Sequence, residues 1–454
     1  MNSKLSVERE VRDTATRTRL TNELTYQTGF GNEFSTEAIS GALPIGQNNP
    51  QKPAFGLYAE QLSGTSFTTA RATNLRTWMY RIRPSVLQGT YRLIRKDSNA
   101  LAPLDVAPLP EAQRWNPQPL PDTPVDFVDG LNTLAISGDP ATLSGAAVHL
   151  YAATIDMDRK AFVNTDGEML IIPQQGTLCL ITELGMLTAK PREIAVIPRG
   201  LKFAVHLPDG PSRGYVCENH GSAFRLPDLG LIGASGLANR RDFLTPVARF
   251  EDSDAAHELI AKTGGQLWST TLDHSPFDVV AWHGNVAPYK YDLDRFQSIG
   301  SISFDHPDPS IYTVLTSPSD TPGTANADFC ALTTRWAVAE HTFRPPYFHR
   351  NVMSEFMGLI CGAHDAKAGG FVPGGASIHN AFTPHGPDAE TYRRARDTTL
   401  EPHKITESIA FMFETRLPLR LTAWAVQTPQ RQHDYQQCWS ALAKQFDGDR
   451  HATE

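Results

Sequence analysis

Short strand-like runs dominate the hydrophobic pattern of this chain. "EMLIIPQQGTLCLITELG" (168–185), "EIAVIPRGLKFAVHL" (193–207), "IYTVLTSP" (311–318) and "TRWAVAEHTF" (334–343) are bounded by Gly, Pro, Asn or Asp, as short antiparallel strands are. "TLCLITE" (177–183) alternates apolar and polar positions with the period of a half-buried sheet. The 33 glycines and 33 prolines require many turns and short elements. Helical signals are few. "SDAAHELIAKTGG" (253–265) carries a polar cap at one end and glycines at the other, which predicts a helix. "YQQCWSALAKQF" (435–446) sets Tyr435, Trp439, Leu442 and Phe446 on one helical face, which predicts a helix packed on the body of the protein.

These elements predict a mainly β fold of two-domain cupin-like type, jelly-roll or β-sandwich in architecture, with peripheral helices. Residues 163–206 have the spacing of a small jelly-roll barrel, and a second barrel-like stretch runs from about 300 to 426. Two β barrels, with the chemistry in the second, is the expected arrangement. The aromatic-rich segment 275–296 reads as an ordered connection, being too apolar to stay solvated. The expected domains are 1–294, with 1–25 a flexible tail, and 295–454.

At 454 residues the chain exceeds one ordinary core. Its net charge of −8 argues against a general nucleic-acid or anionic-membrane binder, and no run of Lys and Arg offsets it. The N-terminus lacks the apolar core of a secretion signal, and no stretch is apolar enough to span a bilayer, so the expected location is cytoplasmic. Five cysteines, widely spaced and without a C-x-x-C pair, form neither a disulfide framework nor a thiolate metal site. Reduced thiols are expected, and any metal should have nitrogen and oxygen ligands. The Gly-rich stretches 28–34 and 368–377 lack the order of a phosphate cradle, and no G-x-S-x-G elbow supports serine-hydrolase chemistry.

Candidate chemistry gathers between 306 and 385, where six of the 15 histidines fall: His306, His341, His349, His364, His379 and His385. In "RPPYFHRNVMSEFMG" (344–358), His349 and Glu355 stand in an otherwise apolar stretch. Buried ionisable groups need a partner or a metal. Two histidines with one carboxylate are the facial set of non-haem Fe(II), although Zn(II) or Mn(II) fits the same ligands. The even separation of His349 and Glu355 lets them face one side of a strand or hairpin. A third ligand is supplied by His385, in the Pro-flanked turn "FTPHGPDAE", or by His379, in "GGASIHNAF". His306, in "SFDHPDPSIYTVL", sits at a turn where a neighbouring carboxylate can orient its ring for general-base work; capping of a backbone group is the plainer reading.

The phrases "GFGNEF", "LPIGQNNPQ", "LYAEQLSGTSFT", "RDFLTPVA", "VVAWHGNVAPYKYDL", "FDHPDPSIYTVLT", "FRPPYFHRNVMSEFMGLI", "GGFVPGGASIHNAFTPHGPDAE" and "AFMFET" occur in order from Tyr26 to the C-terminal region. Through them the chain resembles the homogentisate 1,2-dioxygenase family along almost its whole length. The resemblance implies a ring-cleaving dioxygenase of tyrosine and phenylalanine catabolism, with Fe(II) on His349, Glu355 and His385 and a base at His306. It also implies His364 and His385 beside the substrate, and a homohexamer built as a dimer of trimers. The chain departs from the family at His364 in "CGAHDAK", where a tyrosine touching substrate is common. Imidazole replaces phenol as a donor there, but it is shorter and can carry charge. The rival reading is a metal-holding bicupin that isomerises or binds a small polar ligand without consuming oxygen.

Overall fold

The apolar runs become strands that pair almost throughout in antiparallel ladders. A computed structural model of the protein describes residues 24–94, 106–300, 302–364 and 369–448. The tail expected over 1–25 lies, apart from its last two residues, outside them. Among the described residues a nine-stranded, a seven-stranded, a six-stranded and a four-stranded sheet carry the fold, with one further strand pair. The mainly β, sandwich-type expectation holds.

The nine-stranded sheet is the central layer, and its middle strands are buried on both faces. In the Glu168–Gln175 strand, Met169 and Ile171 enter one core, with Leu180, Phe203 and Leu259 of the seven-stranded sheet. Leu170 and Ile172 point the other way, into a second core with Phe329, Phe356 and Phe411 of the six-stranded sheet. The neighbouring Ser212–Asn219 strand repeats this: Val216 faces the first core, Tyr215 and Cys217 the second. Side chains alternate along a strand, so a strand covered on both faces reads as the continuous run "MLIIP". Burying each such side chain contributes roughly 1.5–3 kcal/mol. That gain holds the layers together.

The six-stranded sheet positions the candidate chemistry. Its order is Thr313–Pro318, Ala325–Leu332, Ile409–Thr415, Ser354–Cys361, Ala376–His379 and Gln113–Trp115. Phe329, Phe356, Phe411 and Phe413 turn inward to the second core. The alternate residues Asp328, Glu355, Met357, Met412 and Glu414 line a cavity on the opposite face.

The chain segments on either side of 294 exchange strands. Gln113–Trp115 is the edge strand of the C-terminal sheet, pairing with Ala376–His379. Arg420–Leu421 returns to pair with Leu131–Asp139 of the central sheet. A division near 294, which we retain as a proposal, therefore separates chain segments whose cores are shared. The ordered connection expected over 275–296 contains the strands Val279–Gly284 and Tyr289–Asp292.

Three expectations are corrected. The helix expected over 253–265 is instead the strand His257–Thr263, paired with Gln266–Leu272 and lying parallel to Lys160–Asn164. Gly264 and Gly265 have φ of 60° and 70° and form the two-residue turn between the strands, a hairpin signal that mimics a helix C-cap. In the C-terminal segment a 3-10 turn, Tyr435–Trp439, replaces the long helix. Tyr435 is buried, but Phe446 is 78% exposed, because the tighter turn does not carry one face that far. Within "TRWAVAEHTF" only Arg335–Ala337 is a strand, paired with His403–Ile405. His341 then takes φ of 51° and lies exposed at the surface, stacked on Phe304. The five cysteines are all free.

Candidate metal centre

Glu355 stands near the start of the Ser354–Cys361 strand with its carboxylate on the cavity side. His349 precedes that strand in an irregular segment, and His385 lies in the turn after the Ala376–His379 strand. The strand or hairpin expected to carry both His349 and Glu355 is thus only half right. His349 pairs instead with His385 in an isolated antiparallel bridge, the two backbones exchanging hydrogen bonds of 2.9 and 3.1 Å.

One ligand atom from each of His349, Glu355 and His385 falls within 4.8 Å of the others. His385 Nε2 is 3.1 Å from Glu355 Oε2, and His349 Nε2 is 3.7 Å from Oε1. Cis ligands around an ion with bonds near 2.1 Å stand about 3 Å apart. Each imidazole is oriented from behind: His349 Nδ1 donates to the Tyr347 carbonyl at 2.7 Å, and His385 Nδ1 to that of Thr383 at 2.9 Å. With Nδ1 committed to a carbonyl, each Nε2 points inward: protonated, it donates to the Glu355 carboxylate, and on losing that proton it offers its lone pair to a metal. Asn351 Nδ2 donates to Glu355 Oε1 at 3.1 Å and orients the carboxylate. The donor set fits a divalent cation.

Burial by itself would raise the Glu355 carboxyl, but the hydrogen-bonded imidazoles of His349 and His385 outweigh it and hold the group well below the usual carboxylate range. The same carboxylate raises His349. Glu414, opposite Glu355 on the adjacent strand, behaves in the other sense: burial pushes it up to about 7, and the charge of Glu355 adds to this. Asp328, opposite Glu414, is likewise raised by burial. A row of three carboxylates thus runs across neighbouring strands. Sequence reasoning missed Glu414 and Asp328, although the alternation of "AFMFET" places Ala410, Met412 and Glu414 on one face.

The cavity holds about 490 Å³ and is also lined by His306, His364 and His379. His306 Nδ1 donates to the Pro307 carbonyl at 3.0 Å, so the ring is held by a carbonyl and not by the expected carboxylate neighbour. Asp305 instead accepts from the His306 backbone N–H at 2.8 Å, at a φ of 73°. His306 also borders a second cavity of about 720 Å³ that contains Arg335, Trp336 and Lys404. His364 is buried, edge-on to Phe371. His379 is brought to the same place, its ring stacked on that of His385 with 4.1 Å between centroids and Nδ1 3.9 Å from Glu355 Oε2. Of the six histidines, only His341 stands apart from this cavity.

Residues 25–293 match the family model "Homogentisate 1,2-dioxygenase N-terminal", and residues 294–446 match "Homogentisate 1,2-dioxygenase C-terminal". The chain belongs to the homogentisate 1,2-dioxygenase family. Membership in the homogentisate 1,2-dioxygenase family marks the chain as a dioxygenase, acting on a small molecule and O2. Solved structures resemble it only distantly. Ylba from E. coli is 10% identical over 70% of this chain and 96% of its own, with a TM-score of 0.30. A cupin 2 conserved barrel domain protein from Leptotrichia buccalis is 8% identical over 65% and 91%, with a TM-score of 0.28. A deletion mutant of Bacillus subtilis oxalate decarboxylase is 9% identical over 72% and 83%, with a TM-score of 0.28. Likeness at this level says nothing of what the chain binds. Among the described residues no helix is long and apolar enough to cross a membrane.

Proposed function

We propose that the chain is an Fe(II)-dependent dioxygenase that converts homogentisate and O2 to maleylacetoacetate in tyrosine and phenylalanine breakdown. The observation that carries the reading is the convergence of His349 Nε2, Glu355 and His385 Nε2 on one wall of a cavity that His306 also lines. His349, Glu355 and His385, two imidazoles and one carboxylate, would hold a ferrous ion there. When bound, that ion supplies the one-electron chemistry that lets triplet O2 react with a closed-shell ring.

The remaining roles belong to the chain's own residues. His306 has its Nδ1–H committed to the Pro307 carbonyl, so Nε2 is the basic atom and accepts a phenolic proton from the hydroquinone. Loss of that proton makes the ring electron-rich. Both atoms of O2 enter the product as the ring opens between C1, which bears the acetate arm, and C2. His364 donates to a substrate oxygen where other family members commonly use a tyrosine, and His385 borders the same space. Leu332, Met353, Met357 and Met412 are apolar walls that keep water from the reacting ring. Glu355 stays ionised under its two imidazoles, and Asn351 keeps it aimed.

We read the protein as a cytoplasmic homohexamer, a dimer of trimers, without nucleic-acid or membrane partners. The acidic balance supports the last point.

The test is anaerobic loading of the metal-free protein with Fe(II), Mn(II) or Zn(II) in parallel, followed by oxygen-electrode measurement with homogentisate and product absorbance. Oxygen uptake with iron and ring-opened product is expected. An iron-replete protein that takes up no oxygen with homogentisate overturns the reading and leaves the non-oxidative bicupin as its successor.

A further inference from the structure

Behind the candidate metal centre, on the side away from the cavity, a tyrosine meets His379. Tyr435 is 2% exposed, and its hydroxyl lies 3.1 Å from His379 Nε2. The segment carrying it is fastened at three points. The Arg114 guanidinium sits 4.2 Å over the Tyr435 ring, from the strand that pairs with the one holding His379. Arg114 Nε donates to Gln432 Oε1 at 2.5 Å. Trp439 Nε1 donates to the Pro387 carbonyl at 3.0 Å, two residues beyond His385.

The hydrogen bond between Tyr435 and His379 can run either way, and the two directions have opposite consequences. If His379 Nε2 carried the proton, Nδ1 would offer a lone pair toward Glu355 and compete for the metal. If the phenol donates, the neutral ring carries its proton on Nδ1. The geometry favours the second. His379 Nδ1 faces an anion, with Glu355 Oε2 at 3.9 Å, and an N–H there is attractive where a lone pair is repelled.

We propose that Tyr435 is a positioning residue, whose hydroxyl fixes the His379 proton on Nδ1 and so turns that ring from a competing metal ligand into a hydrogen-bond donor facing the open side of the centre. The inference rests on the reading that His349, Glu355 and His385 hold the metal. It gives the stacked His379 and His385 rings different jobs: one ring ligates through Nε2, and the other donates through Nδ1 to an oxygen anion of the substrate or of Glu355. It also makes the C-terminal turn part of the site.

The test uses Tyr435→Phe, which removes one oxygen atom and keeps the packing, together with His379→Gln and the double variant. Ring-nitrogen chemical shifts of ¹⁵N-histidine-labelled, Zn(II)-loaded protein report the His379 tautomer. The wild type should show Nδ1–H, and Tyr435→Phe a mixture or Nε2–H. In the Fe(II) protein, Tyr435→Phe should retain its metal and lower kcat for homogentisate about 10-fold with KM little changed. Added to His379→Gln, it should have no further effect, because its action passes through that ring. Unchanged nitrogen shifts, or a full kcat loss persisting in the His379→Gln background, overturn the proposal. So does metal lost in step with activity, which marks a merely structural role. If wild-type protein consumes no oxygen with homogentisate, the proposed reaction fails, while the nitrogen shifts still decide the role of Tyr435.

Discussion

His349 and His385 are joined by a reciprocal pair of backbone hydrogen bonds, 2.9 and 3.1 Å. The bridge fixes the spacing of two proposed ligands that come from separate loops, and Glu355 completes the proposed set from a paired strand. Little ordering is then left for binding to accomplish. Glu355→Ala should therefore stay folded yet retain almost no iron, as read by metal analysis after desalting. Asn351→Ala, which removes the 3.1 Å donor to Glu355 Oε1, should weaken iron affinity about 10- to 100-fold in a competition titration. Stoichiometric iron with normal turnover in Glu355→Ala refutes the ligand assignment.

His306 contributes no atom to that cluster; it faces the same cavity from a turn. His306→Ala should keep its iron and lose roughly 100- to 10,000-fold in turnover, the range a positioned general base supplies. An iron-replete variant with wild-type turnover removes His306 from the reaction.

Much of this arrangement can be read along the chain, and the parts that cannot share one cause. The alternation in the strand runs puts Glu355 and Met357 on one face and Phe356 on the other, as found. The choice between His379 and His385 is not local. Both rings reach Glu355, and only the His349–His385 bridge and the backing hydrogen bonds separate their roles. The seven residues His257–Thr263 before Gly264 lie between helix-like end signals, yet two flanking strands claim their backbone. Tertiary pairing overrode local pattern there. The same reason hid the partnership of Tyr435 with His379, which depends on a turn far along the chain.

Away from the centre, Arg81 is 1% exposed and meets Glu183 and Glu60 at 3.0 Å and Asp278 at 2.8 Å. Lys202 shares Glu183 at 2.8 Å. Replacing Arg81 by Met leaves buried Asp278 without its guanidinium partner. The expected cost is about 3–5 kcal/mol, seen as a lower urea midpoint at unchanged slope. A shift within about 0.5 kcal/mol would show that the network contributes no net stability.

Glu168 supplies a pH signature independent of any metal. It is 6% exposed, accepting from Asn219 Nδ2 at 2.9 Å and from the Phe224 N–H at 2.5 Å. Burial pushes its carboxyl up from 4.5 to about 7, a rise these hydrogen bonds only partly oppose. The folded state therefore holds a proton that the unfolded chain releases. The stability tied to Glu168 is complete below about pH 4.5 and is lost as pH climbs through about 7. In Glu168→Gln that dependence is absent. Subtracting the variant's unfolding free energy from that of the wild type at each pH isolates the group from other titrations. The difference should fall by on the order of 3 kcal/mol across the window, to the wild type's disadvantage at the upper end. A difference that stays level from pH 4.5 to 7 would mean that the two hydrogen bonds keep Glu168 ionised despite its burial.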